Sequence, residues 1–165
     1  MQRIVLIVIV GAVVWFGGCL VVDWLQSDED RIKACLQEIC ESFNTGSARG
    51  FVERLTDDYD DRDHGLSRAE LRTGLNQYFV STRMDGKGGL VLRAEIEAAS
   101  IVVTFDESDP TRAHAAFRAA VYETESEQAP VWTAEFSVGL RDVDGDWLVS
   151  STDYETLTGR QPLRF

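Results

Sequence analysis

Hydrophobic residues along the chain fall into three regimes. Ile4 to Val22 is a run of nineteen residues without a charge, from Ile32 the apolar positions recur at helical spacing, and beyond Gly89 they alternate with polar ones. A change of period from 3.6 to 2 marks a passage from helices to strands. Ile32, Cys35, Leu36, Ile39 and Phe43 predict a first amphipathic helix that stops near Asn44-Thr45-Gly46. Phe51, Val52 and Leu55 predict a short second helix, and Leu71, Leu75, Tyr78 and Phe79 a third, with Arg68, Arg72 and Asn76 on its other side. Met84 to Gly89 then breaks the chain. Leu90 to Ile96 alternates, and after Ala98-Ala99 the apolar phase moves to Ile101, Val103 and Phe105, as a bulge in one strand would move it. Ala115 to Val121 and Trp132 to Leu140 read as two further strands, and Asp144-Gly145 as a hairpin turn returning through Trp147, Leu148 and Val149. The expectation is an α+β fold: an N-terminal transmembrane helix, then three helices packed on one face of a four-stranded antiparallel sheet. Its divisions are a membrane anchor (1–25), an acidic linker (26–30), the α+β domain (31–155) and a C-terminal tail (156–165).

The first run is long enough to cross a membrane. As a helix, residues 4–22 span about 28 Å of a hydrocarbon core roughly 30 Å thick. A signal peptide has a shorter apolar stretch of about 7 to 15 residues and then a small-residue cleavage site; here the run passes straight into Asp23-Trp24-Leu25. Phe16-Gly17-Gly18-Cys19 resembles a lipoprotein signal, but Phe16 replaces an aliphatic residue and apolar Leu20-Val21-Val22 follows the cysteine. An uncleaved anchor is the reading adopted, with a lipoprotein at Cys19 as the alternative. Arg3 precedes the span, while Asp23, Asp28, Glu29 and Asp30 follow it, with Arg31 and Lys33 beyond. The positive-inside bias puts the domain on the periplasmic or extracellular side, and Trp24 suits the interface.

Composition narrows the function classes. The chain has 165 residues, 44% apolar and 27% charged, enough for one anchor and one compact domain. A net charge of -12 repels phosphate backbones, which argues against nucleic-acid binding. On one helix Cys35 and Cys40 stand about 140° apart around the axis and about 7.5 Å along it, so they cannot bridge each other. Neither a zinc-spaced His/Cys cluster nor a Gly-rich phosphate loop nor a Ser-His-Asp motif occurs, and neither metal nor cofactor is expected.

The densest chemistry lies in Asp57 to Leu71, "DDYDDRDHGLSRAEL". A calcium loop ending on Glu70 would have Tyr59 at its first ligand position and His64 where the turn requires glycine, so it fails twice. Ser67 followed three residues later by Glu70 is instead a capping box, with Leu66 and Leu71 as its hydrophobic staple. Asp57 to His64 then reads as a solvated acidic connection, with His64 a loop histidine and His114 a surface one.

Two segments carry a family resemblance: "LTDDYDDRDHGLSRAELRTGLNQYF" (55–79), between the second and third helices, and the last strand "GDWLVSS" (145–151), with its G-x-W-x-[IV] form. With the order of helices before sheet, they resemble the nuclear transport factor 2-like superfamily, which includes SnoaL-like cyclases and steroid isomerases. That resemblance implies a curved sheet wrapped into a cone with an apolar pocket, in some members an acidic residue inside it, and often dimers through the outer sheet face. Here that face would carry Arg93, Glu95, Glu97, His114, Arg118, Glu135 and Arg141, making it the candidate homodimer surface. A two-residue turn at Asp144-Gly145 pairs Leu140 with Val149, Val138 with Ser151 and Phe136 with Asp153, which turns Asp153 inward. Asp153 is then the candidate general base with Tyr59 or Tyr78 as proton donor, in a pocket lined by Trp132, Phe136 and Phe79. The leading functional expectation is a membrane-anchored extracytoplasmic module that binds a small apolar ligand or a protein; the alternative is an isomerase, cyclase or hydrolase using the inward carboxylate.

Overall fold

The structure is a computed structural model that describes residues 27–82, 89–124 and 129–162. The expected membrane span at 4–22 and Cys19 lie outside the described residues, and among those described no helix is long and apolar enough to cross a membrane. Three α-helices occur among the described residues, as expected, but a strand separates the last two: α1 (Asp28–Asn44), α2 (Ala48–Glu53) and α3 (Arg68–Ser81). The acidic first turn of α1, Asp28-Glu29-Asp30, complements the positive end of the helix dipole. One stripe, Ile32, Cys35, Leu36 and Phe43, is buried. Cys35 and Cys40 are both free. Helix α3 begins with the capping box: the Ser67 hydroxyl accepts from the Glu70 backbone N–H, and the Glu70 carboxylate accepts from the Ser67 N–H at 2.9 Å.

The sheet has six strands rather than four, and it is mixed. They are β1 (Leu55–Asp61), β2 (Leu92–Ile96), β3 (Val102–Phe105), β4 (Arg112–Glu123), β5 (Trp132–Val143) and β6 (Asp146–Gly159). The order is β1-β6-β5-β4-β2, with β3 also on β4. Two corrections account for the count. The predicted bulged strand is broken by a 3-10 turn at Ala98–Ser100 into β2 and β3, which pair in succession along β4; the Ser100 hydroxyl fills the gap by accepting from the Arg118 N–H at 2.8 Å. The acidic connection after α2 is itself a strand, parallel to β6 through Leu55–Val149, Asp60–Ser151 and Asp61–Thr152. Strand β6 also runs to Gly159, so residues 156–159 belong to the sheet rather than to the tail.

The other corrections concern register and an edge. Asp144-Gly145 closes the β5–β6 hairpin with both φ positive, as a two-residue turn requires. Leu140 faces Val149 as expected, but the next pair is Gly139 with Ser151, leaving Ser150 as an extra residue. From there to Ala134 the pairing shifts by one: Val138 faces Thr152, Phe136 faces Tyr154, and Asp153 pairs with Ser137 and is exposed. Gly139 makes the bulge fit, since a Cβ there would stand 2.7 Å from Ser151 Oγ and 3.3 Å from Ser150 Oγ. At the far edge, β2 has no strand beyond it among the described residues. The Asn44 carboxamide takes that place, donating to the Ala94 carbonyl at 2.8 Å and accepting from the Ala94 N–H at 2.7 Å.

Three substitutions test this scheme by chemical denaturation. Ser67→Ala removes the cap and should cost about 1 kcal/mol. Asn44→Leu strands the Ala94 N–H and leaves its carbonyl only the Cys40 thiol, and should cost about 1–3 kcal/mol. Gly139→Ala crowds the bulge and should cost about 1–3 kcal/mol; a Gly139→Ala chain as stable as the parent would mean that the serines move aside freely.

Candidate functional site

Between the helices and the inner face of the sheet lies a cavity of about 220 Å³. Its walls are mostly apolar: Leu36, Ile39 and Phe43 of α1, Leu75 of α3, and the sheet residues Trp132 and Phe136. Phe117 stacks on Phe136 with ring centres 5.4 Å apart and planes 9° apart, and Trp132 stands edge-on to Phe136 at 5.9 Å. Polar groups gather towards one end, contributed by β1, the turn after it, β6 and the segment following β6: Tyr59, Asp61, His64, Thr152, Tyr154 and Gln161.

The turn after β1 assembles this end. Asp61 is buried, and its carboxylate accepts from the backbone N–H groups of Asp63 (3.1 Å) and His64 (3.2 Å). Its second oxygen lies 3.3 Å from His64 Nδ1. A carboxylate can only accept, so Nδ1 carries the proton and Nε2 is left with its lone pair. The His64 ring, about a third exposed at 33%, stacks on Tyr154 at 6.0 Å with planes 17° apart. Asp63 Oδ2 accepts from the Tyr154 N–H at 3.0 Å, which ties the turn to β6. Tyr154 in turn packs against Trp132 (5.6 Å) and Phe136 (5.7 Å), and its hydroxyl donates to Gln161 Oε1 at 2.8 Å.

The acidity of the segment is shared out by strand alternation. Tyr59 and Asp61 face in, whereas Asp58 and Asp60 face out. Asp58 has its carboxyl pKa lowered by a bond from Thr56 and by its pairing with Arg141 across the sheet, and Asp57 pairs with Arg68 of α3. Burial pushes the Tyr59 phenol up to about 12, against an opposing hydrogen bond with Thr152, and raises Tyr154 with help from the charges of Asp63 and Asp61. Cys40 lines the cavity, and burial raises its thiol; Cys35 is pushed up to about 12. Thiols of this kind are poor nucleophiles at neutral pH.

Of the residues singled out from the sequence, Tyr59, Trp132 and Phe136 meet in the cavity. Asp153 does not, because the extra residue at Ser150 turns it outward. Tyr78 and Phe79 lie behind the wall, against Phe43 at 6.0 Å and 5.7 Å. His114 is on the outer face, bonded to Ser137 at 2.7 Å. Sequence reasoning missed Asp61, His64, Thr152, Tyr154 and Gln161. The available signal was Asp61 and His64 three apart, just before Gly65, a spacing that lets a turn carboxylate reach the imidazole.

Comparison with solved structures bears on the fold. A protein of unknown function with a cystatin-like fold from Nostoc punctiforme is 14% identical, with 83% of this chain and 96% of that one covered at a TM-score of 0.64. The fold is cystatin-like, of the nuclear transport factor 2 type. A nuclear transport factor 2-like protein from Novosphingobium aromaticivorans, also described as cystatin-like, is 16% identical over 82% of this chain and 86% of that one, at a TM-score of 0.62. A second protein from that organism, named provisionally as a scytalone dehydratase, is 13% identical over 77% and 82%, at 0.60. At these identities the likeness is one of fold. No family model and no curated protein matches the chain.

On this frame Tyr59 offers a direct readout of the buried polar end. A phenol whose pKa rises on folding favours the folded state at lower pH, and that advantage is lost as pH climbs from the unfolded value of 10 towards about 12. Stability should therefore fall across that window. Tyr59→Phe should lessen the fall and remove one late-titrating tyrosinate from the absorbance at 295 nm.

Proposed function

We propose that this chain is a membrane-tethered, extracytoplasmic domain that binds a small, mostly apolar, ring-bearing molecule between its helices and its sheet. The observation that carries the reading is the cavity of about 220 Å³, walled by the rings of Trp132, Phe136 and Phe117 and polar towards one end. Sites for small molecules have this make-up: a predominantly apolar lining with a few convergent polar groups. An apolar cavity of about 150 Å³ accommodates benzene, so this one has room for a fused bicycle. The tether rests on the nineteen-residue apolar run of residues 4–22, and the extracytoplasmic side on Arg3 ahead of it.

The Asp61–His64 pair favours a second reading, proton transfer on the bound molecule. A buried carboxylate that holds Nδ1–H leaves Nε2 as a general base at the cavity mouth, an arrangement suited to elimination or isomerisation next to an activating group. In that case the inward carboxylate is Asp61 and acts as a positioning residue, with Tyr59 as the hydroxyl donor, since the Tyr154 hydroxyl is engaged with Gln161. The name of the dehydratase-like neighbour is in line with this reading.

Both readings need an occupied cavity, and thermal unfolding of the full-length chain tests that. Saturating indane should raise the melting temperature of the parent, since a ligand that binds only the folded state stabilises it. Ala119→Phe, which puts a ring into the cavity from β4, should abolish the rise. An equal rise in both would locate the ligand elsewhere. His64→Gln should retain binding; loss of turnover in that variant, on a substrate the parent converts, would favour the catalytic reading.

A further inference from the structure

The last described turn of the chain is built into the cavity wall. Gly159 ends β6 opposite Trp132 with φ +77°, and a Cβ there would lie 2.0 Å from the Val131 carbonyl oxygen, so no other residue fits without moving backbone. From there the chain doubles back and sets Gln161 against Tyr154, whose hydroxyl donates to Gln161 Oε1 at 2.8 Å. That bond fixes the carboxamide: its oxygen is engaged with Tyr154, and among the described residues none takes its NH₂ group, whose two donors remain for a partner at the polar end.

The rest of that end defines what the partner can be. Among the described residues that line the cavity there is no lysine or arginine, while Asp61 lies in the wall and Asp63 stands just behind it at the Tyr154 N–H. An anionic group would enter with no cation to pair it and two carboxylates close by, which burial penalises heavily. A pure hydrocarbon would cover the NH₂ group and leave it without an acceptor. We propose that the cavity selects a flat apolar molecule with a neutral oxygen acceptor, a ketone or aldehyde carbonyl, at one end, and that Gln161 determines this specificity by donating its carboxamide N–H to that oxygen. The proposal rests on the binding reading above and deepens it. In the catalytic variant, the same bond polarises the carbonyl while His64, stacked on the Tyr154 ring, supplies Nε2.

Two probes of one shape separate the possibilities: 1-indanone, which carries the carbonyl, and indane, which lacks it. Each is titrated calorimetrically into the full-length chain in nanodiscs, with protein-free nanodiscs as the blank. The parent should bind the ketone roughly tenfold more tightly than the hydrocarbon, the worth of one neutral hydrogen bond at a buried donor. Gln161→Leu should bind both about equally, and indane no less tightly than the parent does, because the uncompensated NH₂ group is gone. Gly159→Ala, which displaces the carboxamide without deleting it, should lose the preference in the same way. If the parent binds indane but does not prefer the ketone, or if Gln161→Leu keeps the preference, the role of Gln161 is overturned and the binding reading stands. If the parent binds neither probe, both fall together.

Discussion

One extra residue in a ladder governs the chemistry of this molecule. Side chains in a strand alternate between faces, so an insertion of one exchanges the two faces for everything beyond it. Ser150 is that insertion. Before it, Leu140 and Val149 meet on the inner face; after it, Thr152 and Tyr154 face in and Asp153 faces out. The effect reaches β1, which pairs with β6 in the shifted stretch through Asp60–Ser151 and Asp61–Thr152 and so places Asp61 beside Thr152 at the cavity. It also sets the Tyr154 N–H against Asp63, holding the turn that carries His64. Gly139 opposite is a condition of all this, because the two serine hydroxyls occupy the space that its side chain would need.

The acidic segment divides energetically along the same line. Asp57 and Asp58 form ion pairs with Arg68 and Arg141 at exposed positions, where solvent screening leaves such pairs worth little. They make the strand tolerable rather than stable. Asp61 is different, since a buried carboxylate is costly unless its oxygens are satisfied. Two turn N–H groups and the imidazole satisfy them. The turn therefore keeps an ionisable pair at the edge of an apolar space, a place where such groups are seldom found without a use.

What the sequence discloses follows the range of the forces concerned. The capping box at Ser67 and Glu70, the buried stripe of α1 and the turn at Asp144-Gly145 depend on residues within a few positions of each other, and each was legible. Strand β1 was not. Four aspartates in seven residues read as loop because aspartate is depleted from strands, and the partner that overrides this preference, β6, lies some ninety residues on. The bulge at Ser150 was hidden for a related reason, since the alternating pattern up to Val149 contains no mark of a residue about to be skipped. Asp153 was assigned to the wrong face by that single step. Tyr59, Trp132 and Phe136 were found because alternation or an isolated aromatic pointed inward, whereas Tyr154 and Gln161 needed the register of the whole hairpin.

The cavity also has a reason to exist that packing alone does not supply. Protein interiors are close-packed, and a larger apolar side chain in an accessible hole usually adds stability. Ala94 and Ala119 line the wall from neighbouring strands and share it with Leu36, Phe43 and Trp132. A fully buried leucine or phenylalanine contributes about 1.5–3 kcal/mol relative to an exposed one, so filling this space from either alanine is the cheaper solution for folding. Small residues kept beneath a box of aromatic rings, with an oriented histidine and a glutamine amide at the far end, are what a site for a molecule requires and what a core optimised only for stability would have closed.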